Sequence, residues 1–135
     1  MGAWGVLAFD NDHACDWAYE LDGASDLSPV ESAFAEVEAA GAGNLEPGPA
    51  CNALAACEVL ARLRGRPGYT NAYTEEVDDW VKDHPITPPP TLVARAEAAI
   101  ARILGSDSEL RQLWEEAGDE EWRAAVDDLR VRMSG

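Results

Sequence analysis

Four oxygen-bearing side chains crowd the start of the sequence: Asp10, Asn11 and Asp12 in succession, with Asp16 one helical turn beyond Asp12. Hard cations gather carboxylate and amide oxygens, so these four could supply about half of a coordination shell. The arrangement is not an EF-hand loop, because the sharp-bend Gly and the distal Glu are missing. The same side chains have a second use. Asp and Asn at a helix start accept hydrogen bonds from its free N–H groups, at about 0.5–2 kcal/mol each, and suit the positive end of the helix dipole. Capping is the favoured reading here, and a cation or small ligand the competing one. Glu58 is the other carboxylate of interest. Its neighbours Cys57, Val59, Leu60 and Ala61 are apolar, which predicts burial, and a buried carboxylate can serve acid–base chemistry. A pair with Arg62, four residues on, or a hydrogen bond to the amino-terminal arm is the simpler account. Together Asp10, Asn11, Asp12, Asp16 and Glu58 form the candidate ligand-binding set.

Other chemistry-bearing residues are dispersed. His13 and His84 lie far apart, and His84 directly precedes Pro85 at a helix end. Cys51 and Cys57 are six apart and do not share a helix face, so they read as small core side chains. Cys15 makes the count odd, and without C-x-x-C spacing there is neither a disulfide framework nor a zinc site to expect. The sequence holds no G-x-S-x-G, H-E-x-x-H, P-loop or G-x-G-x-x-G. No catalytic residue and no cofactor is therefore assigned.

Charge carries more information. The 135 residues hold 26 Asp and Glu against 10 Lys and Arg, a formal net charge of −16. Residues 1–61 contain 11 carboxylates and no Lys or Arg, the first base being Arg62. Such a field repels phosphate backbones and anionic membranes, so direct nucleic-acid or membrane binding is not expected. A basic protein partner is compatible with it. Nine Arg to one Lys fits a GC-rich bacterial genome, in which acidity can also serve solubility alone.

The elements that position these residues are helices. Alanine occupies 24 positions, while Ile (3) and Thr (4) are scarce, which favours helix over sheet. Pro and Gly divide the chain into about six to seven helical pieces forming one all-α domain over 1–135. Residues 1–9 are apolar and Gly-broken, and predict an extended arm packed on the bundle, with Trp4 and Phe9 buried. Asp10 or Asp12 caps a first helix with Ala14, Trp17, Ala18 and Leu21 inward, ended by Gly23. Ser28-Pro29-Val30-Glu31 reads as a capping box opening the second, with Val30, Ala33, Phe34 and Val37 inward and Gly41 closing it. Residues 50–63 are apolar nearly all round, which places that helix at the centre. Thr74 caps a short acidic helix that stops at His84-Pro85. A stiff Pro-rich connector then leads to a helix over 91–104. Ser106 or Ser108 starts a sixth helix, and Gly118-Asp119 a last one carrying Trp122, Ala125, Val126, Leu129 and Met133. No apolar run approaches the ~20 residues needed to span a bilayer, and no charged-then-apolar leader is seen, so a cytoplasmic chain is expected.

Gly2-Ala3-Trp4-Gly5, Phe9-Asp10-Asn11-Asp12, Ala14, Asp16-Trp17 and Leu21 resemble the opening of a bacterial family known as a domain of unknown function. That opening runs G-x-W-G, then F-[DE]-N-D-x-A-x-D-[WF]. The similarity continues through Ala56-Cys57-Glu58-Val59-Leu60-Ala61, Arg64-Gly65, Ser108–Glu116, Trp122-Arg123 and Asp127–Arg130. The resemblance implies a small helical cytoplasmic bacterial protein and carries over no catalytic residues; His13 and Cys15 fall where the pattern is loose. Size, acidity and the lack of a catalytic motif favour a non-enzymatic interaction module with a basic partner, in the manner of immunity and antitoxin proteins. The alternative is a cation-dependent enzyme or ligand-binding domain that gathers Asp10, Asp12, Asp16 and Glu58.

Overall fold

Seven helices follow one another in the computed structural model, which describes residues 5–134: α1 (Asp12–Asp22), α2 (Ser28–Ala40), α3 (Pro47–Leu63), α4 (Glu75–Asp83), α5 (Pro90–Leu104), α6 (Glu109–Ala117) and α7 (Glu120–Ser134). Trp4, expected to be buried, lies outside the described residues. No strand is present among those described. One isolated parallel bridge joins Leu45 to Ser108, through Leu45 N–H to Asp107 O at 2.8 Å and Glu109 N–H to Leu45 O at 3.0 Å.

The near-apolar helix is central, as its composition predicts. Every α3 residue from Ala50 to Arg62 except the half-buried Asn52 is buried, and α3 packs against all six other helices. Its alanines at 50, 53, 55, 56 and 61 leave short side chains on each face, which lets six neighbours approach. The helix begins at Pro47, three residues before the expected start at 50. Proline in the first turn lacks only an N–H that would have no helical partner, so Pro47 and Pro49 extend the helix rather than delay it.

Capping differs in detail from expectation. Neither Asp10 nor Asp12 caps α1; Asn11 does, its Oδ1 accepting from Ala14 N–H at 2.8 Å. Asp10 is held instead by the arm, accepting from Leu7 N–H at 3.1 Å, while its own N–H donates to Leu7 O at 3.0 Å. The arm therefore closes a turn over 7–10 and does not run straight. Phe9 of that turn is fully buried, and Val6 and Ala8 pack against the core. Ser28 lies inside α2, with Leu27 at the boundary, and its N–H donates to Asp26 Oδ1 at 3.0 Å; the capping box does not form, because Asp26 already serves that N–H. The Thr74 hydroxyl likewise makes no cap bond to α4; it donates to Asn71 O at 3.1 Å and accepts from Asn71 N–H at 3.0 Å. Ser108 does cap α6, accepting from Arg111 N–H.

The inward stripes pack largely as the sequence predicts, with Ala14, Trp17 and Leu21 of α1, Val30, Phe34 and Val37 of α2, and Trp122, Val126, Leu129 and Met133 of α7 all buried; Ala125, expected on the α7 stripe, is only half-buried. Trp114 and Trp122 stack at 6.1 Å between centroids with planes 9° apart. No helix among the described residues is long and apolar enough to cross a membrane.

Candidate functional site

Glu58 is 1% exposed, the least exposed carboxylate in the chain. A lone buried carboxylate is costly, so its partners define the centre of the molecule. The main one is Arg132, in the last turns of α7, whose Nη1 and Nη2 donate to the two carboxylate oxygens at 2.6 and 3.0 Å. This fork-to-fork geometry is the strongest form of such a pair. Arg62, the partner expected from the i, i+4 spacing, stands only at 3.5 Å through Nε, and that Nε has no hydrogen bond. The contact is one of charges rather than a hydrogen bond. Its guanidinium is drawn elsewhere: Nη1 donates to Asp78 at 2.6 Å and Nη2 to Tyr69 O at 2.7 Å, with the Tyr69 ring 5.0 Å away beneath it.

The surroundings are shaped to admit Arg132. It lies so close over Gly68 that a Cβ there would meet Cζ at 2.6 Å, so any side chain at 68 would push the guanidinium aside. Nη1 also donates to Arg66 O at 3.1 Å, and Nε to Asp128 at 2.8 Å. Burial acts to lower the Arg132 pKa, but the bonds and charge of Glu58, and then of Asp128, outweigh it and hold the pKa above the ordinary value. Tyr69 is shifted upward by burial and then by the Glu58 charge, so its hydroxyl stays protonated, and it accepts from Phe9 N–H at 3.4 Å.

Glu58 and Arg132 form the polar end of a cavity of about 50 Å³ whose apolar wall includes Leu54, Leu110, Trp114 and Trp122. That is room for a few waters, well below the roughly 300–1,000 Å³ of ligand clefts. Chemically, the arrangement locks α3 to α7 and to the arm.

The sequence-predicted residues separate into two groups. Asn11 lines the same cavity as Glu58, with Nδ2 donating to Ala8 O at 3.2 Å. Asp10 presses against Gly5, where an added side chain would collide with its carboxylate. Asp12 and Asp16 are exposed on α1. Among the described residues no group of three or more His, Cys, Asp or Glu is placed to hold a metal ion.

Asp12 instead borders an open groove of about 370 Å³ between α1 and the head of α4, with Cys15, Tyr19, Tyr73, Glu75 and Glu76. Tyr19 is 65% and Tyr73 48% exposed. Sequence reasoning did not single out these tyrosines, nor Arg132. Tyr19 did leave a signal: it falls off the Ala14–Trp17–Ala18–Leu21 stripe, on the acidic face of α1.

A family model described as a domain of unknown function, DUF4259, matches residues 2–125. The chain belongs to that family. No curated protein and no solved structure matches it. The DUF4259 match spans Glu58, Arg62 and Asp78 together with the whole groove, and ends before Arg132.

Proposed function

We propose that this DUF4259 protein is a protein-interaction module whose acidic surface captures a basic partner, working as immunity and antitoxin proteins do and without catalysis. The supporting observation is where the charge lies. α1 and α2 contain no Lys or Arg, and their carboxylates Asp12, Asp16, Glu20, Asp22, Glu31, Glu36 and Glu38 are all exposed. The buried carboxylate, Glu58, is already occupied by its two arginines. A surface on which carboxylates so outnumber bases, Arg95 at Glu38 being a base that reaches α2, steers an oppositely charged protein and accelerates its capture.

The test is kinetic. A cognate partner, identified by affinity capture together with the product of the adjacent reading frame, is expected to be basic. Its association rate should fall steeply between ~0.05 and ~0.3 M salt, because exposed charges are screened over about 10 Å at 0.1 M. Neutralising Asp22, Glu31 and Glu36 together should slow association more than it speeds dissociation. Glu38 is a poor choice for such a set, because Arg95 binds it through Nε and Nη2 at 2.8 and 2.9 Å. A partner of neutral or acidic charge, or an association rate indifferent to salt, overturns the reading.

A further inference from the structure

The cavity beside Glu58 combines two chemistries in one space. Its floor is deep: Glu58, Leu54, Trp122 and Leu129 are buried, whereas Leu7, Trp114 and Ala125, which also line it, are only half-buried. Exposure of the lining therefore rises from the carboxylate toward the arm, Trp114 and Ala125, which marks the way in. We infer that this cavity receives the alkylammonium end of a lysine side chain carried by the basic partner, with the methylenes along the tryptophan wall and the ammonium at Glu58. The inference rests on the interaction reading above and gives it an anchor.

Neither water nor a wholly apolar group matches the whole lining. A buried water needs two to four polar partners, and Leu54, Leu110, Val126 and Leu129 offer it none. Cavities that stay empty are apolar, and this one ends on an ion pair. An amphiphilic group suits both ends, and the lining selects the sign of its head. Glu58 and Asp128 bring two negative charges against the one positive charge of Arg132. Arg62 also faces Glu58, but it does not line the cavity and is balanced by Asp78. One negative charge is left over, and it favours a cation.

Acceptor capacity and size narrow the choice further. A carboxylate has about four lone-pair positions. Arg132 takes one on each oxygen of Glu58, so an ammonium adds its donors without breaking the fork. The volume, about 50 Å³, holds roughly three to five non-hydrogen atoms at ~10–15 Å³ each. Lysine beyond its Cβ is an unbranched run of that size, whereas arginine is longer and ends in a planar fork. A lysine stem lies readily along apolar surface while its compact charged head takes a polar site. A single side chain of the partner needs no cleft of drug-ligand size, and one well-seated anchor can dominate an interface.

The experiment uses the full chain, with binding followed by calorimetry and by the fluorescence of the tryptophans, two of which line the site. The probes are n-butylamine, 1-butanol and butyrate at pH 7 and constant ionic strength. n-Butylamine should bind saturably in the millimolar range, as befits so small a ligand, 1-butanol about fivefold more weakly, and butyrate not at all. Ala125→Leu, which fills the half-buried mouth, should weaken n-butylamine about tenfold. Asp128→Asn should weaken it about threefold, the scale of one screened charge, while Glu116→Gln, on α6 and outside the lining, should change it by under about twofold. Thermal melts confirm that each variant is folded. A ten-residue peptide of Lys alternating with Gly and Ser should displace n-butylamine, and its Arg counterpart should not. If n-butylamine does not bind, if 1-butanol or butyrate binds equally well, or if the Ala125→Leu variant binds like the native chain, the cavity assignment fails. If n-butylamine binds and the Lys peptide leaves it in place, the site takes a free amine and the assignment to a partner lysine fails. The interaction reading stands or falls separately, on the salt dependence of partner capture.

Discussion

Replacing Glu58 by Ala leaves two guanidiniums without their central acceptor. The Glu58 and Arg132 side chains are 2% and 13% exposed, and removing one member of a buried pair costs about 3–5 kcal/mol because the other charge stays behind in a poor solvent. Arg62 keeps Asp78 and Tyr69 O, so Arg132, which retains only Asp128 and Arg66 O, bears most of the loss. For a domain of this size, that is a fall in melting temperature of about 10–20 °C. Glu58→Gln preserves shape and one acceptor and should cost less. Arg132→Met strands the carboxylate against a single contact at 3.5 Å, and should cost more than a surface change. The informative quantity is the coupling. In a double-mutant cycle of Glu58→Gln and Arg132→Met, followed by urea unfolding with tryptophan fluorescence, the double variant should be more stable than additivity predicts by about 1–3 kcal/mol. Strict additivity, or an Ala variant within about 0.5 kcal/mol of the native chain, would refute the assignment of this pair as the lock between α3 and α7.

Phe9→Ala should destabilise the fold by about 3–5 kcal/mol in the same assay, since Phe9 is fully buried at the turn that anchors the arm. In native protein, Cys15 should alkylate more slowly than a free thiol at pH 8: its raised pKa leaves less thiolate at any given pH. Asp16→Asn should speed that reaction roughly twofold, the scale of one screened charge. Cys51, pushed up to about 11 by burial, should react only after unfolding, as peptide mapping by mass spectrometry would show.

What was legible in the sequence was local. Pro29, Gly41, Pro90 and Ser108 act within a turn of where they stand, so helix ends could be placed to within a few residues. The stripes of α1 and α2 follow from a 3.6-residue period and needed no knowledge of what they face. The burial of Glu58 was equally visible, because its flanking residues are apolar on every face of the helix. Its partner was not. Arg62 is the nearest base along the chain, but competing acceptors at 2.6 and 2.7 Å pull its guanidinium away, and the carboxylate turns to a residue 74 positions on. No periodicity encodes that choice. The acidic face of α1 could be read from Asp12 and Asp16, yet Asn11, between two Asp residues, gave no sign that it rather than they would take the cap. The groove was hidden for the same reason as Arg132: its second wall comes from a turn some fifty residues downstream.

The Glu58–Arg132 pair also sets an order in time. A ribosome adds about 5–20 residues per second, so the separation of 74 positions between the two partners corresponds to roughly 4–15 s of synthesis. During that interval the helix destined for the centre carries a carboxylate whose nearest base along the chain is Arg62. Until the last turns of α7 arrive, Glu58 therefore lacks its forked partner, and their docking is the event that completes the pair.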